Sequence, residues 1–212
     1  MTANLKQRYL CKDCRRQFIT DYSYRGCMPQ VRDLIVPMTM NGSGIRDIAR
    51  VLQICPNTVL GVLRAQAEAV TEPTVPKRIK DLEIDEFWSF VHSKAHQRWT
   101  WYAFDRQRRQ VVAFVNGRRT DQSCAQLRKK LRGSQVKTFH TDEWPSYAKY
   151  LPPRRHQVGK AGTLRIEREN LNFRTHIKRL HRRTICYSKS EEMHDAVLKL
   201  YIHHANASQH QL

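Results

Sequence analysis

The sequence contains no run of about 18 apolar residues, which is the length that a helix needs to cross a bilayer. Its first ten residues, MTANLKQRYL, also lack the apolar core of a secretory signal peptide. These two absences argue against a membrane protein and against a secreted one. We therefore expect the chain to be cytoplasmic.

Acidic residues are scarce relative to basic ones. The chain has 19 Asp and Glu residues against 38 Lys and Arg residues, which gives a formal net charge of +19 and a pI near 10.1. Such an excess says little about the fold but favours a polyanionic partner. The basic residues are spread along the chain among Trp, Tyr and Phe, whereas a membrane-surface protein concentrates them on one amphipathic helix. Nucleic acid is therefore the favoured partner.

Cysteine usage does not support a disulfide framework, since the six cysteines accompany no secretory signal. Only Cys11 and Cys14, in the sequence CKDC, have the spacing of metal ligands, and a zinc ribbon needs a second ligand pair. Two interpretations of residues 1–28 stay open. The segment is either half of a zinc ribbon, with zinc on this pair, or a metal-free remnant held by Tyr9 and Phe18.

The chain also lacks a phosphate-binding glycine loop and a Ser/His/Asp arrangement for nucleophilic catalysis. Its ten histidines are scattered, and we expect His203 and His204 to decorate a C-terminal helix rather than bind a metal. The carboxylates are the remaining candidates for chemistry.

Residues 29–70 are predicted to form a helical DNA-binding domain. Residues 29–41 have apolar side chains at helical spacing, namely Val31, Leu34, Ile35 and Met38. Pro37 lies inside that pattern and should kink or end the helix.

Two short helices with a tight turn between them follow. Ser43 is a plausible N-cap of the first helix, and Pro56 is well placed in the first turn of the second. The chain breaks at 53–55, and the small Ala49 lies where the helices cross. This pattern is typical of a helix-turn-helix.

A helix-turn-helix assigns roles to particular side chains. Asn57, Thr58 and Arg64 would face a DNA groove, while Arg46 and Arg50 would mainly contact phosphates. An ordinary helical hairpin inside a bundle is the alternative.

Residues 71–80, TEPTVPKRIK, carry two prolines and are predicted to be a linker. From Asp81 the apolar pattern changes to period two, which indicates strands. A last helix starts near Ser188, which has capping-box spacing to Glu191. The elements predict an α/β domain with a mixed sheet. Its predicted strands are residues 82–91, 98–105, 110–117, 136–144 and 154–158. Its first two predicted helices are residues 121–131 and 145–151, and two more helices follow the last strand.

A long helix is predicted from residue 163, with a basic exit segment up to residue 190. Its apolar stripe must pack on the core and consists of Ile166, Phe173, Ile177 and Leu180. Beside it runs a row with one acid, one amide and two bases, namely Glu167, Asn170, Arg174 and Lys178. A solvated face would mix its charges, so this row indicates a carboxylate beside phosphate-binding groups. Glu169 falls on the other side of the stripe, so helical phase favours Glu167.

Two aspartates stand out in the strands. Asp85 lies in the middle of an apolar strand, where its charge is costly unless it is paired or bound to metal. Asp142 ends the fourth strand, and open α/β sheets hold their chemistry at strand ends. Asp85 and Asp142, each taken singly, can also be explained as turn or cap residues. Asp105 fits that explanation better than either of them, because it opens the turn at 106–109. Three further carboxylates are weaker candidates, being on the opposite face or beyond the strand: Glu83, Glu86 and Glu143.

Three carboxylates in a basic protein suggest a site for Mg²⁺ or Mn²⁺. Asp85, Asp142 and Glu167 offer the hard oxygen ligands that magnesium prefers. Two such ions about 4 Å apart can clamp both oxygens of an in-line phosphoryl displacement.

The same three residues resemble the Asp-Asp-Glu set of bacterial insertion-sequence transposases, and most closely the insertion-element-one family. The resemblance covers nearly the whole chain, from RYLCKDC through the helix-turn-helix to the region from Asp81 onward. It is carried by LEIDEFWSFV, by HTDEWPSY, and by IExxNxxxR followed by RRT and SKS.

This resemblance implies a ribonuclease-H-like catalytic domain at 81–212, dependence on magnesium, and double-stranded DNA as the partner. Terminal inverted repeats and target DNA would be cleaved and joined by a homo-oligomer, which would be nucleoid-associated when bound to DNA. Two departures from the family are the missing upstream Cys pair and Pro37. A DNA-binding regulator with an inert catalytic domain is the alternative, and a nuclease acting on RNA–DNA hybrids is a third possibility.

Overall fold

The structure is a computed structural model that describes residues 7–20 and 24–208. Parts of the predicted N-terminal segment, residues 1–6 and 21–23, and the end of the last domain, 209–212, lie outside the described residues. The described strands are β1 (Tyr9–Leu10), β2 (Gln17–Phe18), β3 (Arg78–Val91), β4 (Ser93–Asp105), β5 (Gln110–Gly117), β6 (Gln135–Thr141) and β7 (His156–Val158). The described α-helices are α1 (Pro29–Asp33), α2 (Ile35–Met40), α3 (Ile45–Leu52), α4 (Pro56–Ala69), α5 (Asp121–Lys130), α6 (Pro145–Tyr150), α7 (Leu164–His176) and α8 (Glu191–Ser208).

The main sheet has five strands in the order β5-β4-β3-β6-β7. Three strands that follow one another in the chain, β3, β4 and β5, form an antiparallel meander. Strand β6 runs parallel to β3, and β7 runs parallel to β6. The predicted α/β domain with a mixed sheet is therefore confirmed. β3 begins earlier than predicted because Arg78 pairs with Gln135 of β6, so the linker without regular structure ends before Arg78.

The sheet separates two apolar clusters, because successive side chains of a strand point to opposite faces. Phe87 and Tyr102 face the cluster that contains α7 and α8. Ile84 and Trp101 face the cluster covered by α5 and α6. The candidate carboxylate Asp85 shares the face of Phe87 and so points toward α7.

The N-terminal helices form as predicted, with two differences. Helix 29–41 is divided at Leu34 into α1 and α2, because the ring of Pro37 excludes the helical hydrogen bond to the carbonyl four residues earlier. The N-cap of α3 is Gly44 and not Ser43, and the Gly44 N–H donates to Asp47 Oδ2 at 3.3 Å. Gln53 ends α3 in the left-handed conformation (φ 55°).

Helix α4 packs on α8, which joins the N-terminal helices to the sheet. One apolar cluster runs from Val31 through Leu63 to Ile202. At the edges of this contact, Lys199 Nζ donates to the Ala67 carbonyl at 2.7 Å and Arg64 Nε lies 2.7 Å from Glu192 Oε1. The two predicted domains therefore share one core.

The predicted long helix is shorter than expected. Helix α7 ends at His176, Ile177 is extended, and Lys178–Leu180 forms a 3-10 turn. Ile177 and Leu180 are both buried as predicted, but the change of direction takes Lys178 out of the helical row. The placement of Lys178 on this helix is therefore wrong.

The N-cap of α8 also differs from the prediction. Ser190 Oγ accepts the Met193 N–H at 3.2 Å, so Ser190 caps the helix instead of Ser188. Ser188 is buried and its Oγ lies 2.7 Å from His194 Nδ1. His203 and His204 are exposed on α8, as expected. Within the described residues no helix has the length and apolarity needed to cross a membrane.

Candidate active site

Asp85 lies in β3 and is held by hydrogen bonds to both oxygens. Oδ1 accepts the Glu86 N–H at 2.8 Å, and Oδ2 accepts Asn170 Nδ2 from α7 at 2.6 Å. Burial is the largest cause that raises the pKa of Asp85, and the charges of Asp142 and Glu167 add to it. Together they outweigh the lowering effect of these hydrogen bonds and bring the pKa to about 6. The three predicted carboxylates therefore act electrostatically on one another.

Asp142 and Glu167 are both exposed, in contrast to Asp85. Asp142 follows the last residue of β6, next to β3 in the sheet, and its Oδ1 accepts the Trp144 N–H at 3.0 Å. Glu167 lies in the first turn of α7, where Thr163 Oγ1 lies 3.4 Å from its Oε1. Two acidic groups at the surface thus flank a half-buried third one.

A divalent cation suits this donor set by its chemistry. All three groups supply carboxylate oxygens, and each negative charge near the half-buried Asp85 is unfavourable unless a cation compensates it. Across the described part of the chain, however, no group of three or more His, Cys, Asp or Glu side chains is arranged closely enough to hold a metal ion. The carboxylates are in electrostatic reach of one another but not in ligating positions.

Tyr102 was not singled out from the sequence. It lies fully buried in β4, and its hydroxyl lies 2.9 Å from Asn170 Oδ1 and 3.0 Å from the Ile166 carbonyl. This hydroxyl fixes α7 against the sheet and orients Asn170 toward Asp85. Strand alternation predicts that Tyr102 is buried. It does not predict the contact with Asn170, because that residue lies 68 positions further along the chain.

The predicted placement of Glu83 on the face opposite Asp85 is wrong. Glu83 lies on the same face as Asp85 and is fully buried. Its Oε2 accepts the Ile166 N–H at 2.8 Å, and its Oε1 lies 2.7 Å from Arg106 Nε. Because a helix leaves its first N–H groups without partners, Glu83 stabilises the first turn of α7, which carries Glu167.

Glu86 points to the opposite face, as predicted. It is buried, accepts a hydrogen bond from the Tyr147 hydroxyl, and pairs with Arg119 Nη2 at 2.7 Å. Burial raises the pKa of Glu86 to about 7. The Arg119 guanidinium also stacks over the Trp144 ring at 3.6 Å, so this cluster supports the turn that carries Asp142.

The remaining carboxylates have structural surroundings. Asp105 is buried, and its Oδ1 accepts the N–H groups of Gln107 and Arg108, so its predicted role in a turn is confirmed. Glu143 is exposed beyond β6. Glu169 accepts Asn172 Nδ2 at 3.0 Å, and burial raises its pKa.

Arg174 points toward β3 beyond Asp85. Its Nη2 donates to the Trp88 carbonyl at 3.3 Å and its Nη1 to the Leu180 carbonyl at 3.4 Å. Burial and the nearby Arg182 lower the pKa of Arg174. This guanidinium therefore ties the segment after α7 to the sheet.

A groove of about 500 Å³ lies between α3, α4 and the chain after α7. It brings together four of the predicted DNA-binding residues, which are Arg46, Arg50, Arg64 and Lys178. Asn57 is exposed at the start of α4, while Thr58 Oγ1 lies 2.8 Å from the Tyr24 hydroxyl. Arg50 pairs with Asp47 and Arg64 with Glu192, both through exposed side chains.

The N-terminal cysteine pair lies in a two-stranded ribbon. Tyr9 and Phe18 stack across β1 and β2 with ring centroids 5.7 Å apart. Hydrogen bonds from Cys14 and Asp13 lower the pKa of Cys11. The ribbon therefore has its predicted aromatic support, and zinc binding by Cys11 and Cys14 stays a prediction.

Comparison with known proteins identifies the class and then the family. Residues 79–207 match the family described as IS1 transposase, and residues 22–66 match the one described as InsA C-terminal domain. The insertion element iso-IS1n protein InsB of Shigella dysenteriae is 46% identical over 120 residues, which is 57% of this chain and 92% of that protein. The IS1 protein InsB of Shigella flexneri is 45% identical over the same shares.

The fold and these matches define a transposase, an enzyme that cleaves and transfers DNA. The chain belongs to the IS1 transposase family. Its N-terminal helices fit DNA binding, as the sequence analysis predicted.

Among solved structures, a chain of the simian T-cell lymphotropic virus intasome in complex with PP2A regulatory subunit B56 gamma is 14% identical. The similarity covers 79% of this chain and 66% of that one, with a TM-score of 0.39.

Proposed function

We propose that this transposase binds the terminal inverted repeats of an insertion sequence and performs DNA cleavage and strand transfer with Asp85, Asp142 and Glu167. The observation that carries the proposal is the 2.6 Å hydrogen bond from Asn170 to Asp85. Asn170 follows Glu167 by about one turn of α7, so this bond fixes the row headed by Glu167 against the strand of Asp85. The charge of Asp142, directly after the neighbouring β6, acts on the same carboxyl group.

The three carboxylates would hold Mg²⁺ or Mn²⁺. Such ions, when bound, stabilise the charges on the attacking and leaving oxygens of a phosphoryl transfer. The chain's own residues prepare the site: Asn170 orients Asp85, Glu83 stabilises the turn of Glu167, and Arg119 supports the turn of Asp142.

Two phosphoryl transfers would follow each other. Hydrolysis breaks a phosphodiester at each element end and leaves a 3′-hydroxyl. That hydroxyl then attacks a phosphorus of target DNA and displaces the 3′-oxygen of the target strand. Neither transfer requires a covalent bond to the protein, because bound cations would stabilise the attacking and leaving oxygens directly.

We further propose that α3 and α4 act as a helix-turn-helix on the element ends and that the sheet belongs to a ribonuclease-H-like domain. The proposal is supported by the exposed Asn57 at the start of α4 and by the basic groove behind it. Two element ends must be held together during transfer, so we propose a homo-oligomer on DNA.

Asp142→Asn tests the catalytic assignment. This variant should abolish cleavage of a labelled end substrate in Mg²⁺ while leaving end binding largely intact, because an amide keeps the hydrogen bond to Trp144 but loses the charge. Glu143→Gln is the matched control, since Glu143 is the exposed neighbour, and it should cleave normally. Cleavage by Asp142→Asn at the wild-type rate would refute the assignment.

The same substrate separates this proposal from the two alternatives. Nicking in Mg²⁺ that stops in chelator supports the transposase. End binding with no nicking in either buffer would instead identify a DNA-binding regulator. Cleavage of RNA–DNA hybrids that is indifferent to the terminal repeats would identify a hybrid nuclease.

A further inference from the structure

One face of the main sheet is only partly covered. Trp101 of β4 is paired with Glu86 of β3, and both residues are buried. The Tyr147 ring of α6 packs on the Trp101 ring, with the ring centroids 5.8 Å apart. Two residues further along the strands, the directly paired Trp88 and Trp99 are only half-buried. The covering helices therefore end at a point where the sheet still carries large aromatic side chains.

These rings belong to a longer series, which we call the aromatic strip. It consists of five half-buried aromatic residues and one arginine, namely Tyr187, Phe90, Trp88, Trp99, Arg119 and Trp144. The centroids of Tyr187 and Phe90, and those of Phe90 and Trp88, are 5.4 Å apart. The Arg119 guanidinium lies 4.8 Å from the Trp99 ring and 3.6 Å from the Trp144 ring.

The strip ends at the turn that carries Asp142, on the face of the sheet opposite to Asp85. Trp144 donates its backbone N–H to Asp142, so the last ring of the strip and the catalytic carboxylate share one turn. The pairing of β3 with β6 ends at Glu83, and the strip occupies the part of β3 beyond that point. A strand bound at Asp142 would therefore meet the strip next.

The chemistry of the strip matches unpaired nucleotides. Bases stack on aromatic rings and on guanidinium planes, and every base offers a face for such stacking. The net charge of +19 attracts the phosphates that accompany them. Trp144 itself is half-buried, and the Arg119 guanidinium lies 3.6 Å from its ring, so the end of the strip nearest Asp142 carries both a ring and a cation.

We propose that the aromatic strip binds the unpaired DNA strand that adjoins the scissile phosphate. The inference rests on the proposed function, in that it gives the strip a place in DNA cleavage. Duplex DNA cannot stack its bases on the aromatic rings of the strip, since paired bases are already stacked on one another. The strip would therefore hold the strand only where the duplex is open.

Single-strand binding can be measured without catalysis. We would use a fluorescent single-stranded oligonucleotide of mixed sequence and the matching duplex, both in chelator, with full-length protein that carries Asp142→Asn. Adding Trp88→Ala, Phe90→Ala or Tyr187→Ala should each weaken single-strand binding about tenfold, the order of one lost stacking contact. Duplex affinity should stay within about twofold. Because no cleavage occurs, failure of this experiment is distinct from failure of the catalytic assignment.

Two further variants serve as controls. Leu171→Ala removes an exposed apolar side chain of α7 and should change neither affinity. Phe90→Leu keeps an apolar side chain in place without the ring, so it should fold and still lose single-strand affinity. Unchanged single-strand affinity in all strip variants would overturn the proposal. So would an equal loss for duplex and single strand, or a change confined to the oligomeric state, which would make the strip an interface between copies of the chain.

Discussion

Single residues on α7 differ in function according to which side of the helix they occupy. Glu167 is exposed and its charge acts on Asp85. Glu169 lies partly buried beside Asn172, and its charge adds to the burial that raises the pKa of Tyr201. The two glutamates are two residues apart, which is about 200° around a helix. Only one of them can therefore face the candidate site.

We predict that Glu167→Gln removes DNA cleavage and that Glu169→Gln is mild. Both substitutions keep the size of the side chain and remove one charge, so each is the control of the other. Cleavage of a labelled element end in Mg²⁺ measures the effect, with end binding in chelator as the test of folding. If Glu169→Gln were inactive and Glu167→Gln active, the side of α7 that carries Glu169 would be the one that faces the site.

The sequence alone predicts these residues unevenly. Asp85 and Asp142 are detectable because a charge in an apolar strand and a carboxylate at a strand end are both unusual. Glu83 was misplaced, although strand alternation alone puts it on the face of Asp85. Its function depends on Ile166 and Arg106, and no local pattern shows that these residues approach it.

At the scale of elements, one buried histidine joins α8 to the sheet. His194 Nε2 lies 3.1 Å from Ser89 Oγ of β3, and its Nδ1 lies 2.7 Å from Ser188 Oγ. Burial, together with the charges of Arg179 and Arg98, lowers the pKa of His194 to about 3. The folded protein therefore keeps this imidazole neutral where the unfolded chain would protonate it.

This shift predicts a loss of stability in acid. Below the unfolded pKa near 6.5 the unfolded chain binds one more proton than the folded one, so the free energy of unfolding should fall by about 1.4 kcal/mol per pH unit until the folded pKa is reached. Urea unfolding between pH 7 and pH 5 measures this contribution as the difference between wild type and His194→Gln, which lacks the titrating group. The exposed His203→Gln should keep the wild-type slope, and an unchanged slope in His194→Gln would contradict the prediction.

Helix α4, which we propose as the helix that reads the DNA sequence, gives a second prediction at this scale. Asn57 is exposed at the start of α4, so Asn57→Ala should weaken binding to terminal repeats more than binding to random duplex. Arg46→Ala should weaken both alike and reduce the slope of log affinity against log salt by about one unit. Titrations at several salt concentrations measure both effects. Equal losses for Asn57→Ala on the two DNAs would mean that α4 does not select sequence.

At the scale of the whole molecule, the proline-containing segment 71–80 predicts a linker between two domains. In the structure the helices before this segment and the sheet after it share a common core. The apolar faces of α4 and α8 are each predictable from periodicity. That these two faces pack on each other is not, because the helices lie more than a hundred residues apart in the chain. Periodicity shows which side of a helix is buried but not which element buries it.

A shared core predicts that the whole chain unfolds in one transition. Leu63 of α4 is fully buried in the common cluster, so Leu63→Ala should lower stability by about 2–5 kcal/mol. All four tryptophans lie in β3, β4 or the turn after β6, so their fluorescence reports only the sheet. In Leu63→Ala this fluorescence and the helical signal at 222 nm should shift together to lower urea, while Val51→Ala, at an exposed position of α3, should leave both unchanged. Loss of helical signal with tryptophan fluorescence at its wild-type midpoint would show that the N-terminal helices unfold separately, and the contact between α4 and α8 would then be an interface between two domains.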